Sequence, residues 1–440
     1  MQQRISSTAL ASCACLGTAL LFAPEVFAVQ TFTVNSTLDQ VDDNTSDTVC
    51  HTAANTCTLR AAVMQANRAP TAGATIMLPA GVYTLTRLPV NDDGDDSGDL
   101  NMTTPVNDSG PISLVGAGVA TTVIDANRID RILHVGVSRT ASVSGVTFRH
   151  GYSSANGGGI FNEGILTLDG VVVTANEDIV GGGITNFGSL IVHASTVSLN
   201  IAMYGGGIDN DGDIAMNAST IAFNTAREGG GIENLGTMAL VNTTIAGNDA
   251  INDGGGFMAT NFSTTHIYNS TIAYNDADQD RDGIGFGGGV YISTTANFNL
   301  RNTLLAGNTV ENTPIYDDCD GDGQLVSYGR NVLGTDASTL SGCNIVPSSG
   351  SLWDNLNSLN FLGGLASNGG PTPTIALING NNSIDAGDPA FGFGCRDQNS
   401  APITVDQRGF ARPAGSFCDI GAFEYGAVNP VDEIFKNGFE

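Results

Sequence analysis

Two acidic side chains occupy equivalent points of a repeating sequence, Asp209 and Glu233, 24 residues apart. If the repeat is one turn of a solenoid, they sit on adjacent turns about 5 Å apart. A retaining glycosidase holds its acid and its nucleophile at about that separation. No base, cleft or distal partner accompanies the pair in the sequence, so the expected state is two solvated surface carboxylates. A second chemistry is cation binding. Asp278-x-Asp280-x-Asp282-Gly283 and Asp318-x-Asp320-x-Asp322-Gly323 space acidic oxygens as the first half of a calcium loop does, with glycine for the sharp turn. Asp93-x-Asp95-x-Ser97-Gly98-Asp99 is a looser third. Where a complete loop would close with a bidentate Glu stand Gly289, Gly329 and Thr104, so the expected Ca²⁺ ligands are Asp278, Asp280, Asp282, Asp318, Asp320 and Asp322. The five histidines share no ligand spacing, and no Gly-x-Ser-x-Gly, phosphate loop or His-Glu-x-x-His is present.

The elements that must position these groups are set by an internal repeat. Glycine triplets begin at Gly157, Gly181, Gly205, Gly229, Gly254 and Gly287. Asn176, Asn200, Asn224, Asn248, Asn275 and Asn308 keep the same beat, and a second column runs through Asn162, Asn186, Asn210 and Asn234. Inside each repeat, apolar residues two apart (Leu190 and Val192, Ile214 and Met216) mark strands, and an apolar column lies three residues before the first Asn column (Val173, Val197, Ile221, Ile245). Short strands inside a 24-residue period predict an all-β parallel β-helix, with eight or so coils stacked about 4.8 Å apart into a rod of roughly 40 Å. The asparagines are expected at corners in left-handed backbone, their amides stacked as a ladder, with a Ser/Thr column (Ser195, Ser219, Thr243, Ser270, Thr303) stacking likewise. Glycine triplets belong where a bend leaves no room for a Cβ. Between Asn275 and Gly287 the period stretches, and such insertions often carry recognition; Tyr274, Phe286 and Tyr291 around it suit stacking on sugar rings.

Solenoid ends expose unpaired strands and need covers. Leu59, Ala62, Val63 and Ala66 form one face of a short helix opening at Thr58, a candidate N-terminal cap. The period is lost from about 346 to 425, where the chain is expected to finish the stack irregularly, with Asp406, Arg408, Arg412 and Asp419 as a charge network tying off the last coil. The expected divisions are 1–28, a secretory signal cleaved near Ala28; 29–110, cap and first coils; 111–345, repeats; 346–425, a C-terminal region; and 426–440, a tail. Six cysteines remain after cleavage, and local spacing favours Cys50–Cys57, Cys319–Cys343 and Cys395–Cys418. The net charge of −28, with one lysine among 440 residues, excludes a phosphate-reading surface and hence nucleic acid. No later segment is long and apolar enough to predict a membrane helix.

Three sets of residues resemble known families. The repeat, with Gly-Gly-Gly-Ile and an apolar residue three before Asn, is similar to repeats of polymorphic outer membrane proteins. Phe32-Thr33-Val34-Asn35 followed by Cys57-Thr58-Leu59-Arg60-Ala61-Ala62 resembles the CSLREA domain, departing from it at Thr58 and Ala61. Asn368-Gly369-Gly370-Pro371-Thr372-Pro373-Thr374, Ile384-Asp385-Ala386-Gly387-Asp388, Asp406-Gln407-Arg408-Gly409 and Cys418-Asp419-Ile420-Gly421-Ala422-Phe423-Glu424 resemble the choice-of-anchor Q family. The last residues, Ile434 to Glu440, resemble a short tail found on secreted proteobacterial proteins. These resemblances imply an exported, right-handed β-helix of the pectin-lyase-like fold at or near a bacterial cell surface, without implying a common reaction. That fold hosts polysaccharide lyases and hydrolases. Of the runs carried by polygalacturonase-like hydrolases only Gly94-Asp95-Asp96 is matched, ahead of the repeats, and the glycine-triplet repeats from Gly157 to Asn308 hold no Lys and few Arg, namely Arg227, Arg281 and Arg301. A polyuronate would be repelled unless calcium intervened. The expected function is therefore adhesion, or binding of an extracellular polysaccharide, surface glycan or matrix without catalysis; the alternative is a polysaccharide lyase or glycoside hydrolase.

Overall fold

A computed structural model describes residues 28–429, apart from 70–71, 91–93, 104–109, 311–316, 335–341, 343, 348–353, 356–361, 388–394 and 398. The predicted signal segment and the tail from 430 onward lie outside the described residues.

The coil that carries Asp209 shows how the repeat folds. Ile208–Asn210, Asp213–Asn217, Thr220–Ala222 and Thr225–Ala226 are successive strands, and each pairs in parallel with the strand 24 residues on. Repetition produces three long parallel sheets of 12, 9 and 11 strands, running along one axis, and a narrow fourth of four. Nine coils carry all three long faces, a stretch of about 43 Å at ~4.8 Å per coil, and the first sheet runs beyond it at both ends. The first face holds Asp213–Asn217, the second Ile208–Asn210 and the third Thr220–Ala222. Period-2 alternation sends Ile208, Ile214, Met216 and Ile221 into a single apolar column inside the rod. This confirms an all-β parallel β-helix, with Leu59–Ala66 as the α-helix among the described residues. Thr58 caps that helix, accepting from the Ala61 N–H, and the helix packs against the first strands. No helix among the described residues is long and apolar enough to cross a membrane.

The asparagine ladder forms as expected, with Nδ2 donating to the next Oδ1 from Asn176 through Asn200, Asn224, Asn248 and Asn275 to Asn308 at 2.8–3.0 Å. The second column is also a ladder, from Asn162 through Asn186 and Asn210 to Asn234, and the serine column stacks from Ser195 to Ser219. The left-handed residue, however, is not the asparagine but its predecessor: Leu199 (φ 58°), Phe223 (56°) and Tyr274 (61°). The physical reason is direction. The amide must point inward to reach the next coil, so the corner strain falls on a neighbour whose side chain leaves the rod. The glycine triplets behave as predicted. Gly205 is left-handed (φ 58°), and a Cβ on Gly206 would lie 2.4 Å from the Gly230 oxygen of the next coil.

The C-terminal region departs from expectation. Its first residues do extend the stack, Asn344–Pro347 pairing with Gln324–Ser327 and Asp354–Asn355 with Asn331 and Val332, but from Leu362 onward the chain lies along the third face. Ile375, Leu377, Ile420 and Phe423 form a second core with Ala246, Ala273, Leu304 and Val332. Gln407 donates to the Ser219 carbonyl and the Thr220 hydroxyl, both at 2.9 Å, and accepts from Thr244. The sequence reason is the repeated Thr-Ile-Ala of the third face, whose small outward residues leave room for a covering segment. Arg408–Asp406 and Arg412–Glu424 are buried ion pairs within it, so the predicted charge network exists but secures a lateral cover. Cys50–Cys57 and Cys395–Cys418 are bonded. Cys319 is also in a disulfide, and its predicted partner Cys343 lies outside the described residues.

Candidate functional site

Strand register on the second face stacks one residue from each strand into a single row: Asn101, His134, Phe161, Thr185, Asp209, Glu233, Met258, Tyr291 and Asp320. Sequence reasoning put Asp209 beside Glu233, and the structure places them as direct partners on adjacent strands. Solvation is where the expectation fails. Asp209 is 3% exposed and Glu233 6%. The glycine triplets hold the chain tight against the row: a Cβ on Gly229 would lie 2.9 Å from the Glu233 Cβ. Narrow corners therefore bury what an ordinary sheet surface would leave in water.

Burial without compensation sets the electrostatics. Glu233 Oε2 is enclosed and meets no donor. Burial pushes the Asp209 carboxyl up to about 7, helped by the Asp211 charge. Burial, then Asp209, Glu228 and Asp211, push Glu233 up to about 8. The two carboxyls thus titrate as a coupled pair that still holds a proton at neutral pH. Four other buried acids face arginines, Asp39 with Arg60, Asp99 with Arg131, Asp406 with Arg408 and Glu424 with Arg412, while Asp318, also buried, ends the asparagine ladder with one oxygen unbonded. No cationic side chain contributes at the Asp209–Glu233 pair.

The row continues into acids that sequence reasoning missed. The residues preceding the glycine triplets form a flanking column of Tyr204, Glu228, Asp253 and Phe286, linked coil to coil through the backbone. Asp253 is raised to about 6 by burial, with Glu228 and Asp320 adding charge against the Phe286 N–H it accepts. Asp317 is also raised to about 6, mainly by burial. Aligning the residue before each triplet would have exposed this column; attention to the triplets themselves hid it.

The calcium candidates divide. Asp278, Asp280 and Asp282 do converge, each with a carboxylate oxygen within 4.8 Å of the others. Their loop is curled by its own backbone, with the Asp282 and Gly283 N–H groups donating to Asp278. Asp318, Asp320 and Asp322 do not converge. Chain entry into the strand Cys319–Asp320 extends that segment, and Asp318 instead ends the asparagine ladder, accepting from Asn308 N–H and Nδ2 at 2.9 and 2.7 Å. In the looser third loop Asp95 pairs with Arg68 and Asp99 with Arg131. Of the aromatics expected near the insertion, Tyr291 lies in the acidic row, Phe286 is exposed on the flanking column, and Tyr274 is an exposed corner residue reaching the Leu362 carbonyl.

No family model matches the chain, and no curated protein matches it. Among solved structures, a crystal structure of pectate lyase Pel9A resembles it with a TM-score of 0.48 at 15% sequence identity, over 91% of this chain and 97% of that one.

Proposed function

We propose that the protein is an extracellular glycoside hydrolase whose reacting groups are Asp209 and Glu233. The observation that carries this is a buried carboxyl pair in strand register, with Glu233 Oε2 meeting no donor and no cation contributing. Such an arrangement destabilises the fold, and violations of that kind concentrate at functional sites. Glu233, the more raised, supplies the acid; Asp209, the less raised, supplies the nucleophile. Glu233 gives its proton to the glycosidic oxygen as the C1–O bond breaks, and an Asp209 oxygen bonds to C1, forming a glycosyl ester. Glu233, now a carboxylate, takes a proton from water; the water oxygen bonds to C1 and Asp209 leaves with its electron pair. A neighbouring-strand spacing of ~4.8 Å suits this retaining route rather than the wider inverting one. A lyase is less well served, because no Arg or Lys adjoins the pair to take or stabilise a proton.

The resemblance to CSLREA and choice-of-anchor Q sequences supports placement outside the cell, and two disulfides fit an oxidising compartment. The second reading, glycan adhesion without turnover, draws on the exposed aromatics Phe187 and Phe286 beside the row. A polysaccharide panel scored for binding and for new reducing ends separates them. The hydrolase reading expects cleavage that Asp209→Asn and Glu233→Gln each reduce by several hundredfold or more. Binding with no cleavage of any glycan would leave adhesion standing and remove the hydrolase.

A further inference from the structure

The acidic row is not confined to the reacting pair, and its charge is arranged along a line. Glu228 and Asp253 lie on the flanking column one and two coils from Tyr204. Asp320 extends the row itself, beyond Tyr291. The groups feel each other across coils: Glu228 acts on Glu233 and Asp253, and Asp320 acts on Asp253 and Asp317. Inside this strip Glu233 Oε2, on a residue 94% buried, has no donor, and it faces the charges of Asp209, Asp211 and Glu228. Arginine meets Asp39, Asp99, Asp406 and Glu424 but contributes nothing here. A cation from outside the chain would therefore meet no competing positive side chain at the Asp209–Glu233 pair.

We infer that the strip selects a cationic amino-sugar polymer, a glycan of hexosamine units with free amines, laid parallel to the rod axis across Asp209, Glu233, Glu228 and Asp253. A single metal ion fits less well. Among the described residues, carboxylate oxygens of this strip do not gather in threes around a point, as those of Asp278, Asp280 and Asp282 do. The acids instead recur at the coil spacing of ~4.8 Å, on the scale of one pyranose ring. An ammonium on each successive sugar would meet a new carboxylate at each coil. Tyr291 in the row and Phe286 on its edge, 48% exposed, offer flat apolar surfaces to the rings between the amines. Polyuronates are disfavoured by the same charge. Raised carboxyl pKa values support the reading, because an arriving ammonium would favour their ionised forms.

This inference rests on the hydrolase reading for its reacting groups, but its binding half is tested separately. Short oligomers of glucosamine, their fully N-acetylated counterparts, oligogalacturonate and oligolysine are titrated into the full-length protein by calorimetry. The glucosamine oligomer is expected to bind, at least tenfold more tightly than the acetylated one, and more weakly as salt rises. Glu228→Gln and Asp253→Asn should each weaken that binding about three- to tenfold while the melting temperature holds or rises. Equal affinity for acetylated and free-amine oligomers, or tight binding of oligogalacturonate, overturns the inference. Oligolysine binding as tightly as glucosamine also overturns it, since charge alone would then account for recognition. The two proposals fail differently. Tight glucosamine binding without cleavage removes the hydrolase and keeps the cationic ligand; cleavage of a neutral glycan without glucosamine binding does the reverse.

Discussion

Replacing both reacting carboxyls by amides, Asp209→Asn together with Glu233→Gln, should make the protein more stable at alkaline pH. The folded chain holds Asp209 at about 7 against an ordinary value of 3.8, and Glu233 at about 8 against 4.5. At 1.36 kcal/mol per pH unit, ionising each group inside the fold costs roughly 4–5 kcal/mol relative to the unfolded chain. The Asp209 charge enters the Glu233 cost alone, so their interaction is counted once and the pair together costs about 9 kcal/mol. The amides remain buried without partners, which retains a penalty of ~1–3 kcal/mol each. A net gain of about 3–7 kcal/mol above pH 8 follows. The direction comes from proton uptake. Below about pH 3 both states are protonated and the groups contribute nothing. As pH rises through 3.8 and 4.5 the unfolded chain loses protons that the folded chain keeps, so stability falls until about pH 7 for Asp209 and about pH 8 for Glu233. Thermal unfolding of both proteins at pH 5 and pH 9 is the assay, and taking the difference between them removes the general effect of the −28 charge. The variant's advantage should be small at pH 5 and reach several degrees at pH 9. An advantage independent of pH, or a variant less stable at pH 9, would refute uncompensated burial of the pair.

If the pair is catalytic, kcat/KM should follow a bell with its maximum between about pH 7 and 8, where Asp209 is ionised and Glu233 protonated; a plateau extending to pH 5 would count against those roles. Asn224→Ala removes the acceptor of Asn200 N–H and Nδ2 and the donor to Asn248, and should destabilise by about 2–4 kcal/mol in chemical denaturation. Gln407→Ala severs the cover from Ser219, Thr220 and Thr244, so limited proteolysis should release the C-terminal region faster while the repeats resist. Millimolar Ca²⁺ should raise the melting temperature, and Asp278→Asn should abolish that response whereas Asp322→Asn should not; no response to Ca²⁺ or EGTA would remove calcium from the loop.

Much of the architecture was legible because a solenoid converts sequence period directly into spatial register. Once Asn176, Asn200 and Asn224 are seen to recur, stacking puts like on like, and the ladder, the apolar columns and the adjacency of Asp209 and Glu233 follow. Local chemistry was equally legible in the helix opened by Thr58 and in two of the cysteine pairings. Register says which residues are neighbours along the axis, but it does not say what lies above them. Tight glycine corners, seen only in three dimensions, turned two apparent surface carboxylates into a buried pair with raised pKa values. Pairing of Cys319–Asp320 with Val290–Tyr291 pulled one Asp-x-Asp series straight, while an otherwise similar one curled. The aperiodic C-terminal region, having no period to read, found its place on the third face only through Gln407 and the small threonine and alanine residues it covers. Period fixes order along the rod; burial, and with it the acidity of each carboxyl, depends on packing between segments that sequence distance does not record.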